Sequence, residues 1–466
     1  MVHFDRPRRW PRRSTARAAR PTAWYGSAVL TMMIVAPMVA TRADAQASER
    51  APTPLTLGAI YRDIERESPR AEAARALAIA ARARVPAAGL PPDPQLQLSF
   101  MNYTLPGLTP MDPVGMTSLQ LMQMIPVPGK LRLSGRIAGA QAHAVGARAT
   151  DVLWELRSEA AMAFYDVYAT DQNIAVARET LRLLQDVRRT AEAMYRVGEG
   201  RQTDVLRAQV EIARIVEDTI RMTTMRTAMA ARLNALLDRP AETVVGSLAR
   251  PIFPDSVALP GTFVERADAQ RPTLRAGESE VDAAEAQAAL ARREIWPDLT
   301  VGIQYGQRSG EMGPERMGSL MIGGSLPIFA RSRQLRMREE ADAMREMAEA
   351  DLTAMRADTR ARVMGAYATL TRARNLTVLY RTTVLPQAEA TVTSALAAYR
   401  VGSVDFMTLL DNRMSVNEFR QELFALEAEE GKAWAELEML MGRELLDADI
   451  VEPNATAARA SAQDRR

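Results

Sequence analysis

The strongest constraint on the fold is an internal duplication. The motif Tyr-Arg-Val-Gly occurs at Tyr195–Gly198 and again at Tyr399–Gly402, 204 residues further on. Other matches keep the same order and nearly the same spacing, which indicates two tandem copies of one structural unit. We therefore predict a first repeat over residues 46–250 and a second over 251–450, followed by a flexible tail, 451–466. The supporting pairs are Pro69 with Pro272, Pro94 with Pro297, Pro126 with Pro327, and Leu236 with Leu440.

Residues 1–45 have the pattern of a cleaved export signal. Seven of eight arginines precede an apolar run from Ala23 to Ala40, and the small residues Ala43 and Ala45 end the segment. This combination is typical of secretion. An uncleaved membrane helix is the alternative, although Pro37 interrupts a run that is barely long enough. Cleavage would remove eight of 59 basic and two of 57 acidic residues, so the net charge would change from +2 to −4.

The residue types argue against several classes of function. The chain has no cysteine and only two histidines, His3 and His143, which excludes thiolate or multi-histidine metal sites and a lipid anchor on cysteine. Its near-neutral net charge does not indicate the basic surface that is typical of proteins that bind nucleic acid. No phosphate-binding glycine loop or nucleophile elbow occurs, and we expect the acidic residues, which are spread along helices, to be solvated. We therefore predict neither an enzyme nor a resident cofactor or metal.

Two short segments in each repeat alternate between apolar and polar residues, as strands do. They cover residues 95–100 and 118–125 in the first repeat, and 299–305 and 320–326 in the second. Proline and glycine lie between the paired segments, which predicts a hairpin with a rather long loop in each repeat. The residues expected in the second loop are Gly310, Gly313 and Pro314.

Each hairpin is preceded by a helix, residues 69–85 and 272–295, and followed by a very long one, residues 133–196 and 335–400. The long helices would measure roughly 95 Å at 1.5 Å per residue, and Pro386 is expected to kink or interrupt the second. A shorter helix then returns with apolar residues at heptad spacing, which predicts antiparallel coiled-coil packing. The predicted packing stripes are Leu206, Val210, Ala213, Val216 and Ile220 in the first repeat, and Val416, Phe419, Leu423, Leu426, Ala433, Leu437 and Leu440, broken by Glu430, in the second.

Four amphipathic strands in an exported chain indicate a membrane barrel. A strand that turns an apolar face to lipid must belong to a closed sheet, because open edges leave backbone groups unpaired. The smallest membrane barrels have eight strands, so four strands per chain require several copies. A soluble sheet packed against helices is the alternative, and the duplication and the long helices favour the barrel.

The chain resembles the TolC-like outer membrane efflux proteins, which are the outer membrane factors of tripartite efflux and secretion systems. The resemblance lies in the order of these elements and in their duplication. The resemblance covers nearly the whole mature chain. It implies a mainly α protein in which a homotrimer completes a twelve-stranded β-barrel in the outer membrane and an α-helical barrel in the periplasm. It also implies a passive exit duct, joined through a periplasmic adaptor to an inner membrane pump of the RND or ABC type. Further matching segments are Thr203–Leu206 with Thr408–Asp411, and Leu233–Leu237 with Leu437–Met441.

The resemblance assigns roles to residues at the two Tyr-Arg-Val-Gly turns, which would be the periplasmic tips. Family members close the periplasmic mouth with acidic residues just after the second tip. Asp411 matches one such position, Thr408 stands where another aspartate is common, and we include Asp204 of the first repeat in the predicted gate. A helix stop and a solvated aspartate are the plain alternatives for the turns and for Asp411. The tip residues expected to dock the adaptor are Val197, Gly198, Glu199, Val401, Gly402 and Ser403.

The cargo stays open between metal ions, drugs, lipids and secreted peptides. Methionines crowd the first strand pair, and thioethers bind soft ions such as Cu(I), which favours heavy-metal efflux of the copper or zinc type. Methionine is also a common core filler. A periplasmic coiled-coil scaffold or an adaptor is the alternative function, but the Gly- and Val-rich β domain of an adaptor does not occur between the helices. The methionines are Met101, Met111, Met116, Met122 and Met124.

Overall fold

The computed structural model describes residues 54–111, 114–310 and 313–446. The expected export signal, residues 1–45, and the expected tail, 451–466, lie outside these described residues. The described chain is mainly helical, with a four-stranded sheet and a two-stranded one, so the predicted fold class is confirmed for the single chain.

Both halves follow one order of elements: two helices, a strand pair, a very long helix and a shorter returning helix. The first half contains α1 (Leu57–Glu67), α2 (Pro69–Ala88), β1 (Gln95–Met101), the short strands β2 (Tyr103–Thr104) and β3 (Thr109–Pro110), β4 (Met116–Ile125), α3 (Lys130–Arg196) and α4 (Gln202–Leu236). The second contains α5 (Pro260–Gln270), α6 (Pro272–Arg293), β5 (Leu299–Gly310), β6 (Gly313–Gly324), α7 (Gln334–Leu379), a π-helical segment (Tyr380–Val384), α8 (Leu385–Arg400) and α9 (Phe406–Met441). Helices α1 and α5 are not predicted by the sequence patterns.

The two predicted long helices are present. α3 has 67 residues, which corresponds to roughly 100 Å at 1.5 Å per residue. In the second half, α7, the π-helical segment and α8 form one continuous helix, and the π-helical segment lies just before Pro386. Proline donates no N–H and its ring crowds the preceding turn, which explains the wider turn at this point. Among the described helices, none is both long enough and apolar enough to cross a membrane.

The two hairpins form one antiparallel sheet in the order β1-β4-β5-β6. Pairing of β4 with β5 joins the two halves, and β1 and β6 each pair on one side only within the described chain. The register collects apolar residues of all four strands on one face, whereas the opposite face carries glutamine, serine, threonine, glycine and methionine. One row across the apolar face consists of Leu96, Leu121, Ile303 and Leu320, which are 41–68% exposed.

The long loop predicted for the second hairpin is wrong. β5 extends to Gly310, and β6 begins at Gly313 and includes Pro314, so all three residues belong to strands. Pro314 pairs with Ser309 at the very start of β6, where a residue without an N–H is tolerated. Glycine and proline favour turns but do not require them, and here the pairing of the long strands overrides their preference.

The packing stripe predicted for α4 is also wrong. In the part of α4 that contains this stripe, the residues that pack in the core with α3 are Ala208 and Ile215, which are at most 1% exposed, together with partly buried neighbours such as Ile212. At 100° per residue this set lies on the side of α4 opposite to the predicted stripe. The predicted residues, which we call the outer stripe of α4, are all exposed: Leu206, Val210, Ala213, Val216 and Ile220. The helix is therefore apolar on two sides, and a single chain covers one of them.

The stripe predicted for α9 is largely buried, but three glutamates are buried with it. Glu427, Glu430 and Glu438 are at most 5% exposed, contrary to the expectation of solvated acidic residues. Glu427 accepts a hydrogen bond from the Tyr168 hydroxyl at 2.9 Å and pairs with Arg381. Two backbone N–H groups beyond the end of α9 donate to Glu438. Burial raises the pKa of Glu430 and of Glu438, and the partners of Glu427 and Glu438 offset part of the cost of burying charge.

A buried lysine holds the junction between the sheet and the helices. Lys130, the first residue of α3, is 5% exposed, and its ammonium lies 3.0 Å from Asp298 and 3.4 Å from Glu294. It also donates to the backbone carbonyl of Trp296 at 3.1 Å. The start of the first long helix is thereby fixed to the segment that leads into β5.

Replacing Gly431 by alanine tests the close packing of α9 on α3. A Cβ at Gly431 would lie 2.3 Å from the ring of Tyr165, which is 2% exposed. We expect Gly431→Ala to destabilise the fold by roughly 1–3 kcal/mol, as overpacking a core does, and to lower the midpoint of thermal unfolding followed by circular dichroism. Gly365→Ala on α7 is the matched control, because a Cβ there meets nothing within 4 Å. Equal midpoints for the two variants would contradict the close approach.

Candidate functional site

The first tip joins α3 to α4 through a tight turn. Gly198 has a φ of +80°, a left-handed conformation that glycine adopts without strain, and its N–H donates to the carbonyl of Tyr195 at 3.1 Å. The N–H of Glu199 donates to the carbonyl of Met194 at 3.0 Å. Val197 is 69% exposed, so the turn presents an apolar side chain to its surroundings.

The second tip joins α8 to α9 with the same backbone geometry. Gly402 has a φ of +71°, and its N–H donates to the carbonyl of Tyr399 at 3.0 Å. The N–H and the hydroxyl of Ser403 both donate to the carbonyl of Ala398 at 3.0 Å. Val401 is 79% exposed. The two copies of the motif therefore end their helices in the same way, with the glycine at the left-handed position that follows a helix.

The structure brings the two tips side by side. A groove of about 540 Å³ lies between them and is lined from both halves. Four of the predicted site residues line it, namely Glu199, Asp204, Gly402 and Ser403. The other predicted residues lie outside the groove: Val197, Gly198, Val401, Thr408 and Asp411.

A buried tyrosine underlies this groove. Tyr399 is 5% exposed, and its ring makes an edge contact with Phe406, with ring centroids 5.8 Å apart. Burial, and then the negative charge of Asp204, raise the pKa of the Tyr399 hydroxyl. The equivalent residue of the first half, Tyr195, is 47% exposed. The two copies of the motif thus have the same backbone conformation, but their tyrosines differ in burial.

Asp405 is a site residue that the sequence interpretation omits. It is the N-cap of α9, and its carboxylate accepts hydrogen bonds from the hydroxyl of Thr408 and from the Thr408 N–H, the latter at 3.0 Å. These bonds, and the positive charges of Arg201 and Arg207, lower the pKa of Asp405. An aspartate three residues before a threonine, at the start of a helical pattern, is the signal that identifies such a cap. Thr408 thus has a local role at the start of the helix.

The predicted gate residues Asp411 and Asp204 have different surroundings. Asp411 is exposed on α9, six residues after Asp405, and its backbone carbonyl accepts a hydrogen bond from Ser415 at 3.0 Å. Asp204 is half-buried in the first turn of α4, where a carboxylate interacts favourably with the helix dipole. Of the three predicted gate residues, Asp411 is therefore the exposed carboxylate.

The fold and the tips together define a class of protein. A sheet with one exposed apolar face follows the pattern of membrane strands, and long helices connect it to paired turns at their far ends. Within residues 54–111, 114–310 and 313–446, no group of three or more His, Cys, Asp or Glu side chains is placed to hold a metal ion. The class is that of a mainly helical protein that carries a membrane-type sheet at one end of its long helices and two paired turns at the other end.

The family model described as outer membrane efflux protein matches residues 60–239 and 263–443, one segment in each half of the chain. The chain therefore belongs to the outer membrane efflux protein family. This membership confirms the predicted resemblance and the predicted location in the outer membrane, and the family is one of efflux proteins rather than of enzymes. It also favours the efflux protein over the alternative of a periplasmic scaffold or adaptor.

Similar proteins agree with this assignment. The pyoverdine export outer membrane protein OpmQ of Pseudomonas putida is 25% identical over 297 residues, a match that covers 58% of this chain and 59% of OpmQ. The chain thus aligns with about three fifths of the length of that relative. Among solved structures, the outer-membrane channel OprN has a TM-score of 0.73 at 19% identity, covering 83% of this chain and 90% of OprN. VceC of Vibrio cholerae has a TM-score of 0.71 at 17% identity, covering 83% and 96%. Both show the same fold.

The cap of α9 can be tested by hydrogen exchange. We expect Asp405→Ala to reduce the protection factor of the Thr408 amide, because its acceptor is removed, while Asp411→Ala should leave that amide unchanged. Since folding lowers the pKa of Asp405, its stabilisation is complete above the ordinary value of 3.8 and is lost as the pH falls through the lowered value. Protection of Thr408 should therefore weaken only in acid. Wild-type protection in Asp405→Ala would contradict the capping role.

Proposed function

We propose that the chain is the passive exit duct of a tripartite efflux system and acts as a homotrimer in the outer membrane. The observation that carries this proposal is the sheet, whose apolar face is exposed and whose strands β1 and β6 are open edges. In lipid, unpaired backbone groups are costly, so both edges need partners. Three copies with four strands each would close a twelve-stranded barrel, with β6 of one copy paired to β1 of the next.

The asymmetry of the tips supports the same assembly. Within one chain, Tyr399 of the second half is buried near Asp204 of the first. At the 204-residue spacing of the two Tyr-Arg-Val-Gly motifs, Tyr195 corresponds to Tyr399 and Asp204 corresponds to Thr408. An adjacent copy would therefore bring its Thr408 beside the exposed Tyr195, repeating the internal contact. The same neighbour would cover the outer stripe of α4.

Charges on the outer stripe of α4 test the homotrimer. We expect Val210→Lys combined with Ile220→Lys to abolish the heat-resistant oligomer band in detergent extracts of outer membranes, because both ammonium groups would be buried against a neighbour. Thr223→Lys is the matched control, since Thr223 is exposed on the flank of the same helix. A persistent oligomer in the double variant would contradict this interface, and a wild-type chain found as a soluble periplasmic monomer would overturn the duct.

We further propose that the two tips dock a periplasmic adaptor, which connects the duct to an inner membrane pump of the RND or ABC type. The exposed valines of both turns, and the groove between the tips with charged groups of both signs, support a protein-binding surface at this end. The pump would supply the energy, and the duct would remain passive. The proposed docking residues are Val197, Gly198, Glu199, Val401, Gly402 and Ser403.

The proposed periplasmic gate is centred on Asp411, with Thr408 and Asp204 as the other members. Its support is the exposure of Asp411 on α9, less than two turns from the start of the helix that follows the second tip. In a trimer, three such carboxylates around a narrow opening would create a negative potential that attracts cations and repels anions.

Single-channel recording in planar bilayers tests the gate. We expect Asp411→Ala to raise the conductance and to reduce block by added divalent cations, because the ring of three carboxylates is removed. Glu340→Gln is the matched control, since Glu340 is an exposed carboxylate near the start of α7, at the sheet end of the helices. Wild-type conductance and wild-type block in Asp411→Ala would count against the gate.

For the cargo, we propose a heavy-metal ion of the copper type. The support is the set of methionines on the polar face of the sheet, since thioethers without thiolate or imidazole partners favour soft Cu(I) over zinc. In a closed barrel this face would be turned toward the channel. Its methionines are Met101, Met116, Met122, Met124, Met317 and Met321.

A further inference from the structure

We infer that the polar face of the sheet contains a binding site for soft monovalent cations, Cu(I) or Ag(I), formed by two methionines on either side of a glycine. Met122 on β4 is paired with Gly302 on β5, and Gly302 is paired with Met321 on β6. We call this set the methionine slot. The inference rests on the proposed duct, in which the slot would face the channel.

The glycine leaves room for the two thioethers to approach each other. Neighbouring strands lie about 4.8 Å apart, so the backbones of Met122 and Met321 are separated by roughly 10 Å. Two methionine side chains can span this distance across a residue that has no side chain. A Cβ on Gly302 would lie 3.2 Å from Cγ of Met122 and 3.4 Å from Cε of Met321, so both side chains lean over the glycine and bury it.

Core packing does not account for these methionines. The apolar residues of the four strands lie on the opposite face, whereas the slot is surrounded by polar residues of the same face such as Gln304. The side-chain amide of Gln120 lies 3.8 Å from Sδ of Met321. Methionine usually fills gaps among apolar side chains. On a polar face its distinctive property is the soft sulfur ligand, which selects Cu(I).

A related arrangement lies further along β5. Gly306 is buried and paired with Ser118 on β4 and with Met317 on β6. Met116, two residues before Ser118, reaches over it diagonally, so that a Cβ on Gly306 would lie 3.2 Å from Cε and 3.4 Å from Sδ of Met116. We call Gly306, Met116 and Met317 the second slot. This second slot is roughly 13 Å from the first, four residues along the strand. Arg308, which is paired with Met116 in the sheet, would repel a cation there, but its guanidinium forms an ion pair with Glu315 at 2.6 Å. Successive weak sites along a channel allow an ion to bind and to leave.

Binding of Ag(I) to the full-length protein in detergent tests the methionine slot. With silver nitrate in chloride-free buffer, we expect the 13C-methyl NMR signals of Met122 and Met321 to shift. Zn(II) should leave both signals in place. The double variant Met122→Leu/Met321→Leu conserves volume and should bind Ag(I) at least about tenfold more weakly, because even outer-shell changes at metal sites cost that much.

Two further variants distinguish a slot from a general effect of methionine. Gly302→Ala keeps both thioethers but fills the space between them, so it should weaken Ag(I) binding as the double variant does. Met124→Leu is the matched control, because Met124 lies on the same face of β4 but is paired with Thr300 instead of a glycine. Equal Ag(I) affinity in the wild type, the double variant and Gly302→Ala would overturn the slot.

Conductance in nitrate separates the slot from the proposed duct. Ag(I) should reduce the single-channel current of the wild type and of Met124→Leu more strongly than that of Met122→Leu/Met321→Leu. A channel that conducts normally but responds to Ag(I) identically in all variants would overturn the slot and leave the duct in place. A wild-type protein that forms no channel would overturn the duct, while the binding measurement in detergent would still decide the slot.

Discussion

Backbone groups at the edges of a β-sheet need partners, and this requirement governs the rest of the molecule. Each chain forms four strands, of which β4 and β5 join the two halves and β1 and β6 stay open on one side. In water such edges could be solvated, but this sheet also exposes its apolar face, and lipid offers no hydrogen bonds. In the proposed trimer, closure by further copies would set the circumference of the ring of long helices, because each strand pair leads directly into one of them.

The two faces of the sheet depend on its register. A slip of one residue between β4 and β5 would place the apolar residues of β5 and β6 on the same face as the methionines of β4. Asp298, just before β5, prevents such a slip, because it accepts the N–H of Val127 at 2.9 Å and pairs with buried Lys130 at 3.0 Å. Both partners follow β4 closely in the chain. A salt bridge at the base of the sheet therefore helps to keep the apolar residues of both halves on one face.

Local patterns in the sequence were sufficient for the long helices, the strands and the paired turns, because period and turn chemistry are properties of adjacent residues. They failed where the outcome depends on distant partners. α4 is apolar on two sides, so its sequence does not decide which side meets α3. Pro314 belongs to a strand because the pairing of β6 with the long strand β5 overrides the turn preference of proline. At the candidate site, the duplicated motif was enough to predict both tips. Asp405 lies outside this motif and is recognised by a different signal, the N-cap pattern that precedes α9.

The duplication also explains why equivalent residues have unequal environments. In a closed ring of repeats every repeat has a neighbour on each side, so equivalent positions would be buried to a similar degree. In the single chain, α9 packs against α3, α7 and α8, whereas, among the described helices, α4 packs extensively only against α3. Tyr399 is correspondingly buried and Tyr195 exposed. In the proposed trimer, the next copy would therefore pack on the surfaces that are covered in the second half and exposed in the first.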